Sequence, residues 1–378
     1  MKNDHLLMLK NGKSSSKKLK IDNKMIEYRL DKSTFDGKVI KDIIGFVNAV
    51  QDKYSKVKLP LHFNLGNIEI RDKLTYIMFE CVCNYLIETC ERKVFVTFNA
   101  KDKINTEGIG SSPLLLLGTQ QKDRFLEFSQ KFKKEIFRLH YRRIIETKED
   151  DDPYLLSKIM SDIDSFLKTF FVSKQYRDAI AEVIVELAGN ALEHTETDCL
   201  IDLDVTEPYD KKETSGSFYG INITIINFSQ KLLGSSISKK IEEKNTLNER
   251  HLKLLDAYYI HKGKFSSHYR EEDFYNIASF QHKISGRLKN ESTGGTGLTK
   301  LISRLEGYSD AYHCYVITGN RALSFERDML SYNEDGWIGF NKEEDFLTNI
   351  PKRDILGQSA INMPGTAYNL NFVMKKEE

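Results

Sequence analysis

The strongest constraint on the fold is a change of periodicity early in the chain. Val57–Leu65 (VKLPLHFNL) places apolar residues at every second position and then meets Gly66, which predicts a strand that ends there. Asp72–Thr89 repeats apolar residues at helical spacing, and Lys93–Phe98 (KVFVTF) returns to a β-branched, aromatic run. This strand–helix–strand order predicts an α/β unit.

The chain has 378 residues, which is more than one average domain and enough for two. We predict a basic flexible tail over 1–24, a small α/β domain over 25–147 and a second domain over 153–378. The boundary follows a long charged helix predicted over Lys122–Glu146 and falls at the acidic run EDDDP. The first domain shows no recognisable chemistry, so a sensor, partner-binding or dimerisation role is expected for it.

Composition excludes several classes of protein. Lys and Arg number 56 and Asp and Glu 55, which argues against a surface devoted to nucleic acid and leaves only a local basic patch open. The five cysteines are scattered and form no Cys-x-x-Cys pair, so we expect neither a disulfide framework nor a zinc site. Reduced cysteines lead us to expect a cytoplasmic location. No apolar run approaches the ~20 residues that a membrane span needs.

The segment Gln175–Thr195 carries the first candidate site. Glu186 and Asn190 lie one helical turn apart, on the flank of a predicted buried stripe made by Ile180, Val183, Ile184, Leu187 and Ala191. A carboxylate there can orient and deprotonate a water, and an amide oxygen one turn on can ligate Mg²⁺. The alternative is an ordinary amphipathic helix with a solvated polar edge.

The sequence TGGTGL at 293–298 carries the second candidate site. Three glycines before a helix N-terminus expose backbone N–H groups and the positive end of the helix dipole, which suits a phosphate. The spacing matches neither a P-loop nor a dinucleotide fingerprint. A purely structural glycine-rich helix start is the alternative.

Taken together, the two motifs resemble one family. ELAGNALEHT is similar to the N box, and TGGTGL to the second glycine box, of the superfamily joining gyrase, heat-shock chaperone, histidine kinase and mismatch-repair ATPases. A hairpin predicted around Gly319-Asn320, and a strand beginning Gly365-Thr366 that resembles the family's closing strand, agree with it. The resemblance covers about 173–374 and implies an α+β class, with a Bergerat-fold two-layer sandwich of a mixed β-sheet and helices.

The resemblance implies ATP and Mg²⁺ as cofactors. Glu186 resembles the general base, Asn190 the magnesium ligand, and Thr366 the residue that assists adenine recognition through a water. The residues that resemble the triphosphate-binding loop are Gly294, Gly295, Thr296, Gly297 and Leu298.

One box departs from the family pattern. Where the family reads adenine with an Asp after a strand, the predicted strand GINITII (220–226) ends in Asn227. The Asn227 oxygen can accept from the adenine amino group, but its NH₂ offers no acceptor. We therefore expect weaker or less selective adenine binding. Thr299 also replaces the last glycine of the family's loop.

Two further segments are assigned by the resemblance. Residues of about 235–293 take the place of a mobile lid over ATP, where Arg287 and Lys289 could meet phosphates. Residues of about 326–359, with the lone Trp337, are predicted to be a surface insertion that serves a protein partner.

Four functions are considered, of which we expect the first, with the second as the main alternative. The first is an ATP-driven conformational switch with slow hydrolysis. The second is a protein kinase, either like the anti-sigma-factor serine kinases or like histidine kinases, for which His140 is the one candidate acceptor although Tyr and two Arg follow it. The third is a DNA-directed ATPase, which needs a catalytic Lys from the lid or another chain. The fourth is a non-catalytic nucleotide-binding module. Homodimerisation rests on analogy alone.

Overall fold

The structure is a computed structural model. It describes the chain except for residues 1–7, 10–11, 16–18, 23, 71, 101–109, 111, 120, 138, 148–151, 196, 212–214, 245–246, 283, 285–301, 303, 305–306, 308 and 377–378. At residues 22, 122, 137 and 193–195 it describes the backbone alone. The helices are α1 (Gly37–Tyr54), α2 (Lys73–Glu88), α3 (Lys122–Lys133), α4 (Leu155–Lys168), α5 (Lys174–Thr195), α6 (Ser235–Glu243), α7 (Glu249–Lys262) and α8 (Glu271–Ala278). The strands are β1 (Lys20–Asp22), β2 (Met25–Arg29), β3 (Thr34–Phe35), β4 (Leu61–Ile70), β5 (Val94–Ala100), β6 (Lys134–Phe137), β7 (His140–Ile145), β8 (Cys199–Val205), β9 (Tyr209–Asp210), β10 (Ser217–Asn227), β11 (Ala311–Phe325) and β12 (Leu356–Lys375). None of these helices is long and apolar enough to cross a membrane.

The first half forms the predicted α/β unit. β2, β3 and β5 all pair with β4 in parallel, and β1 pairs with β2 antiparallel. α1 and α2 are the crossover helices, and the side chains of Asp36 and Asp72 cap their N-termini by accepting backbone N–H groups. The strand predicted to end at Gly66 continues to Ile70, because Gly66 adopts a φ of 61° and allows a register shift instead of a break.

The second half is built on a seven-stranded sheet in the order β11-β12-β10-β8-β7-β6, with β9 beside β10. Every described pair of its strands is antiparallel. α4 and α5 cover one face, where Ile180 and Leu187 of the predicted helical stripe pack in one core with Ile201, Ile223 and Leu370. The predicted α+β class, with a sheet packed against helices, is confirmed.

The other face of this sheet packs against the first half. Along β10, Ile225 belongs to the core beneath α5, whereas its neighbour Ile226 belongs to a second core with residues of the first half. Leu200 and Ile317 point the same way as Ile226 and share that core with Val47 of α1. Because successive side chains of a strand face opposite sides, one sheet serves two cores.

The long helix predicted over Lys122–Glu146 is wrong. α3 ends at Lys133, and 134–145 form β6 and β7, which extend the second sheet through β8. The domain boundary predicted at 147–153 therefore lies within the stretch of chain that forms this sheet. The buried face of β7 carries the polar side chains of His140 and Arg142. The sequence therefore lacks the alternation of apolar and polar residues that predicts a strand.

The predicted hairpin around Gly319-Asn320 is also wrong. β11 runs without a turn from Ala311 to Phe325 and pairs along its length with β12. The register shifts at Gly319, whose φ is 53°, so the glycine forms a bulge in one long strand.

The tail predicted over 1–24 is partly structured. Met8 and Leu9 are buried, and the Asn48 side chain of α1 donates hydrogen bonds to the carbonyls of Leu9 and Gly12. β1 then pairs with β2. Met8 and Leu9 are therefore packed in the core of the first half, because their burial removes apolar surface from water.

The predicted surface insertion is part of the core. Trp337 is 1% exposed, stacks on Phe346 and lies beneath the Arg250 guanidinium of α7, 4.1 Å from the ring centroid. In the region predicted as a lid, α6, α7 and α8 contribute buried residues such as Phe274 to the same core. The insertion thus packs on these helices and is not the surface excursion that the sequence predicts, while its contact with a protein partner stays a prediction.

Candidate functional site

The predicted pair on α5 is formed. The Asn190 side-chain nitrogen donates to the Glu186 carboxylate over 3.3 Å, and both side chains are half-buried. This hydrogen bond uses the amide nitrogen, so the amide oxygen of Asn190 is the atom suited to a hard cation such as Mg²⁺. The polar edge of α5 is therefore arranged as the sequence predicted.

Tyr368 of β12 shows where this edge faces. Its ring is buried in the core beneath α5. Burial, and then the charge of the Glu186 carboxylate, raise the pKa of the Tyr368 hydroxyl. Glu186 thus lies within electrostatic reach of Tyr368 on β12.

Three polar residues line up across the sheet next to Tyr368. In the strand register Thr318 of β11 lies opposite Thr366 of β12, and Thr366 lies opposite Asn227 of β10. Thr366 is two residues from Tyr368, a distance of ~7 Å along a strand, and on the same face of the sheet. We call Thr318, Thr366 and Asn227 the polar row; it and the Glu186–Asn190 pair share the α5 side of the sheet.

Gly365 allows the backbones of β10 and β12 to approach closely at the polar row. Its φ is 85°, and a Cβ at this position would lie 2.1 Å from the Asn227 carbonyl oxygen. The Thr318 hydroxyl donates to the Gly365 carbonyl over 2.7 Å and accepts from the Leu233 N–H over 3.1 Å. The C-terminal end of β10 therefore lies close to the middle of β12, and the Thr318 hydrogen bond joins β11 to β12 at the same level.

The side-chain amide of Asn227 has a hydrogen-bonded nitrogen and an oxygen without a hydrogen-bond partner among the described residues. Its side-chain nitrogen donates to the Thr197 hydroxyl over 2.7 Å, the Asp198 carbonyl over 3.1 Å and the Thr197 carbonyl over 3.3 Å. Its side-chain oxygen is buried and has no hydrogen-bond partner in the described part of the chain. A buried acceptor without a partner costs roughly 1–3 kcal/mol of folding free energy. A ligand that donates a hydrogen bond to the Asn227 oxygen would remove this cost.

The predicted phosphate loop, Gly294 to Leu298, lies outside the described residues, as do Arg287 and Lys289. The described residues on either side, Ile284 and Ile302, are both buried in the core on the α5 side of the sheet. Among the residues that the structure describes, no group of three or more His, Cys, Asp or Glu side chains is placed to hold a metal.

His140, the one candidate phospho-acceptor, lies on β7 and is buried. Its Nε2 is 2.7 Å from an Asp202 carboxylate oxygen. A side chain enclosed between the two halves does not present itself to a bound nucleotide. This arrangement does not suit a histidine autokinase, which needs an exposed acceptor on a helix.

His140 belongs to a buried cluster that sequence reasoning missed. We call it the charge cluster; its members are Lys73, Glu80, His140, Arg142, Asp202 and Asp204. Lys73 of α2 reaches Asp202 and Asp204 on β8, and Arg142 of β7 joins Asp202 to Glu80 of α2. The sequence did carry a signal for this cluster, since Asp202 and Asp204 lie two residues apart, on one face of an otherwise apolar strand.

The pKa values in the charge cluster follow from burial and pairing. Burial alone would raise the pKa of Asp202, but Arg142, His140 and Lys73 outweigh it and hold that pKa well below its usual range. Burial alone would lower the pKa of His140, but Asp202 and then Glu135 raise it. The cluster therefore favours charged His140 and charged Asp202 at the contact between the halves.

Comparison with family models, with curated proteins and with solved structures finds no match for this chain.

Proposed function

We propose that this chain binds ATP with Mg²⁺ on the α5 side of its second sheet and acts as a nucleotide-driven conformational switch with slow ATP hydrolysis. One observation carries the proposal. The unpaired, buried oxygen of Asn227 lies in the polar row, on the same face of the sheet as the Glu186–Asn190 pair. A base acceptor and a carboxylate–amide pair on one face suit a nucleotide that extends between them.

The residues fit the nucleotide in the following way. The Asn227 oxygen accepts from the amino group of adenine, and Thr366 lies directly beside it in the register. Glu186 orients a water and takes its proton. The Asn190 oxygen would hold Mg²⁺ together with phosphate oxygens and water, and the ion would neutralise phosphate charge. Gly294 to Leu298 remain the expected triphosphate loop.

The sheet offers a route from this site to the first half. Asn227 faces α5, while the adjacent Ile226 and Phe228 are buried in the core shared with α1 and α2. A ligand that shifts the end of β10 therefore acts on both cores, as a two-state switch requires. The first half would then expose or withhold a surface for a protein partner, or for a second copy of the chain, in the cytoplasm.

Two alternatives are kept. A passive nucleotide-binding module is favoured by Asn227, which replaces the carboxylate that the resemblance predicts. A serine protein kinase stays open because the same site would serve phosphoryl transfer to a protein. The burial of His140 gives no support to the histidine-kinase version.

The fate of the γ-phosphate separates these functions. Pure protein with γ-labelled ATP and Mg²⁺ should release free phosphate slowly if it is a switch. Label transferred to an added protein would favour a kinase, and bound but unreacted ATP would favour the passive module. Calorimetric titration with ATP, with and without Mg²⁺, should give micromolar to millimolar binding, roughly −4 to −8 kcal/mol. No binding under either condition would end the nucleotide proposal.

A further inference from the structure

The amide of Asn227 is oriented by its surroundings. Three acceptors converge on its nitrogen: the Thr197 hydroxyl, the Thr197 carbonyl and the Asp198 carbonyl, at 2.7, 3.3 and 3.1 Å. A flipped amide would place its oxygen against the two carbonyl oxygens, lose both of those hydrogen bonds and keep at most one, from the Thr197 hydroxyl. The oxygen is therefore fixed on the opposite side, where it is buried and unpaired.

The same three acceptors exclude an aspartate. A carboxylate at position 227 would bring an oxygen, and negative charge, to within hydrogen-bonding distance of two carbonyls and a hydroxyl. Only the hydroxyl could respond, by turning to donate, while both carbonyls would oppose the carboxylate. Asn227 is thus matched to Thr197 and Asp198, and it is not a weakened version of an acidic residue.

We infer that Thr197, together with the Asp198 carbonyl, positions Asn227 as a fixed acceptor that makes this site selective for a 6-amino purine. This inference rests on the proposed nucleotide function and goes beyond it by assigning base selectivity. An amino group at purine position 6 donates to the Asn227 oxygen. A carbonyl at that position brings two acceptors together and leaves both unpaired, so the site rejects it.

Calorimetric titration of the full chain with ATP and with inosine triphosphate, which differ at position 6, tests the selectivity. The parent should bind ATP at least tenfold more tightly, which corresponds to about 1.4 kcal/mol. Equal binding of the two nucleotides would overturn the inference and leave nucleotide binding standing. Failure of both to bind would instead remove the proposed function itself.

Substitutions test the positioning. Thr197→Val removes the hydroxyl acceptor and should lower the ATP-to-inosine triphosphate preference at least threefold, whereas Thr197→Ser should keep it. An unchanged preference in Thr197→Val would refute its positioning role. Asn227→Asp should bind ATP at least about tenfold more weakly than the parent, and tighter binding would refute the match. Thermal midpoints show whether each variant is folded, and Thr197→Val supplies the test if Asn227→Asp is not.

Discussion

Glu186 and Asn190 are hydrogen-bonded to each other, yet the proposed function gives them separable roles. Glu186→Ala should lower ATP turnover about 100-fold or more, because general-base catalysis contributes 10²–10⁴-fold, and should leave ATP affinity nearly unchanged. Asn190→Ala should instead weaken the part of ATP binding that depends on Mg²⁺. Phosphate release and calorimetric titration measure the two effects.

Glu182 provides the control for this pair, since it lies one turn earlier on α5 and is exposed. Glu182→Ala should match the parent in turnover and binding. If Glu186→Ala and Asn190→Ala both hydrolyse ATP like the parent, the assigned roles are incorrect.

Gly365 is the residue that fixes the polar row. Gly365→Ala forces a side chain into the left-handed region and into the Asn227 carbonyl, 2.1 Å away. We expect the free energy of unfolding to fall by about 2 kcal/mol or more, measured by urea denaturation. Gly357→Ala in the same strand is the control, because its nearest contact would be 3.7 Å away. Equal loss in both variants would contradict a special constraint at Gly365.

Single residues were predictable from sequence where one element fixes them. The spacing of Glu186 and Asn190 follows from the helical period alone, and both side chains lie where the period puts them. The orientation of Asn227 could not be derived, because its acceptors at Thr197 and Asp198 come from another segment of the chain. Trp337 was misplaced for the same reason: its burial depends on α7 and on Phe346.

Elements were predicted well when their buried face is apolar. α2 appears within one residue of its predicted bounds, and the strand predicted over 220–226 lies within the longer β10. β6 and β7 were missed because the buried face of β7 carries His140 and Arg142, which are neutralised by residues distant in sequence. A pattern of apolar residues cannot reveal a strand whose buried side chains are charged.

The charge cluster predicts a pH dependence of stability at the contact between α2, β7 and β8. The folded-state pKa of His140 is raised above its unfolded value of ~6.5, so folding binds a proton. The resulting stabilisation is fully present below pH ~6.5 and is lost as pH rises through the folded pKa. Urea unfolding of the parent should therefore show a free energy that declines above neutral pH.

His140→Gln isolates this contribution. The charges that act on His140 are those of Asp202, Glu135, Arg142 and Glu80. The pKa of Glu80 is itself raised, chiefly by burial, so His140 alone does not account for how the parent's free energy of unfolding changes with pH. His140→Gln should reduce the decline above pH 6.5, while His313→Gln at an exposed position should not change it. An identical slope in parent and His140→Gln would show that His140 does not take up a proton on folding.

At the scale of the whole molecule, composition divided the chain into two domains, and the structure joins them. The acidic run at 149–153 falls in the chain between β7, a strand of the second sheet, and α4, which packs on that sheet. Composition detects where a chain is solvated, but it does not detect which faces of two units are buried against each other. The second core, shared by α1, α2 and the far face of the second sheet, had no local signal.

The shared core leads to a prediction about the fragment 153–378, which the sequence suggests as a domain. Without the first half it would expose Leu200, Ile226, Phe228 and Ile317 and lose β6 and β7 from the sheet edge. It would also leave Asp202 and Asp204 without Lys73 and Arg142. The full chain should therefore melt in one cooperative transition by circular dichroism, whereas the fragment should aggregate or melt without cooperativity. A fragment that melts cooperatively near the midpoint of the full chain would show that the two halves are independent, and the proposed route from the nucleotide site through β10 to the first half would then have no energetic basis.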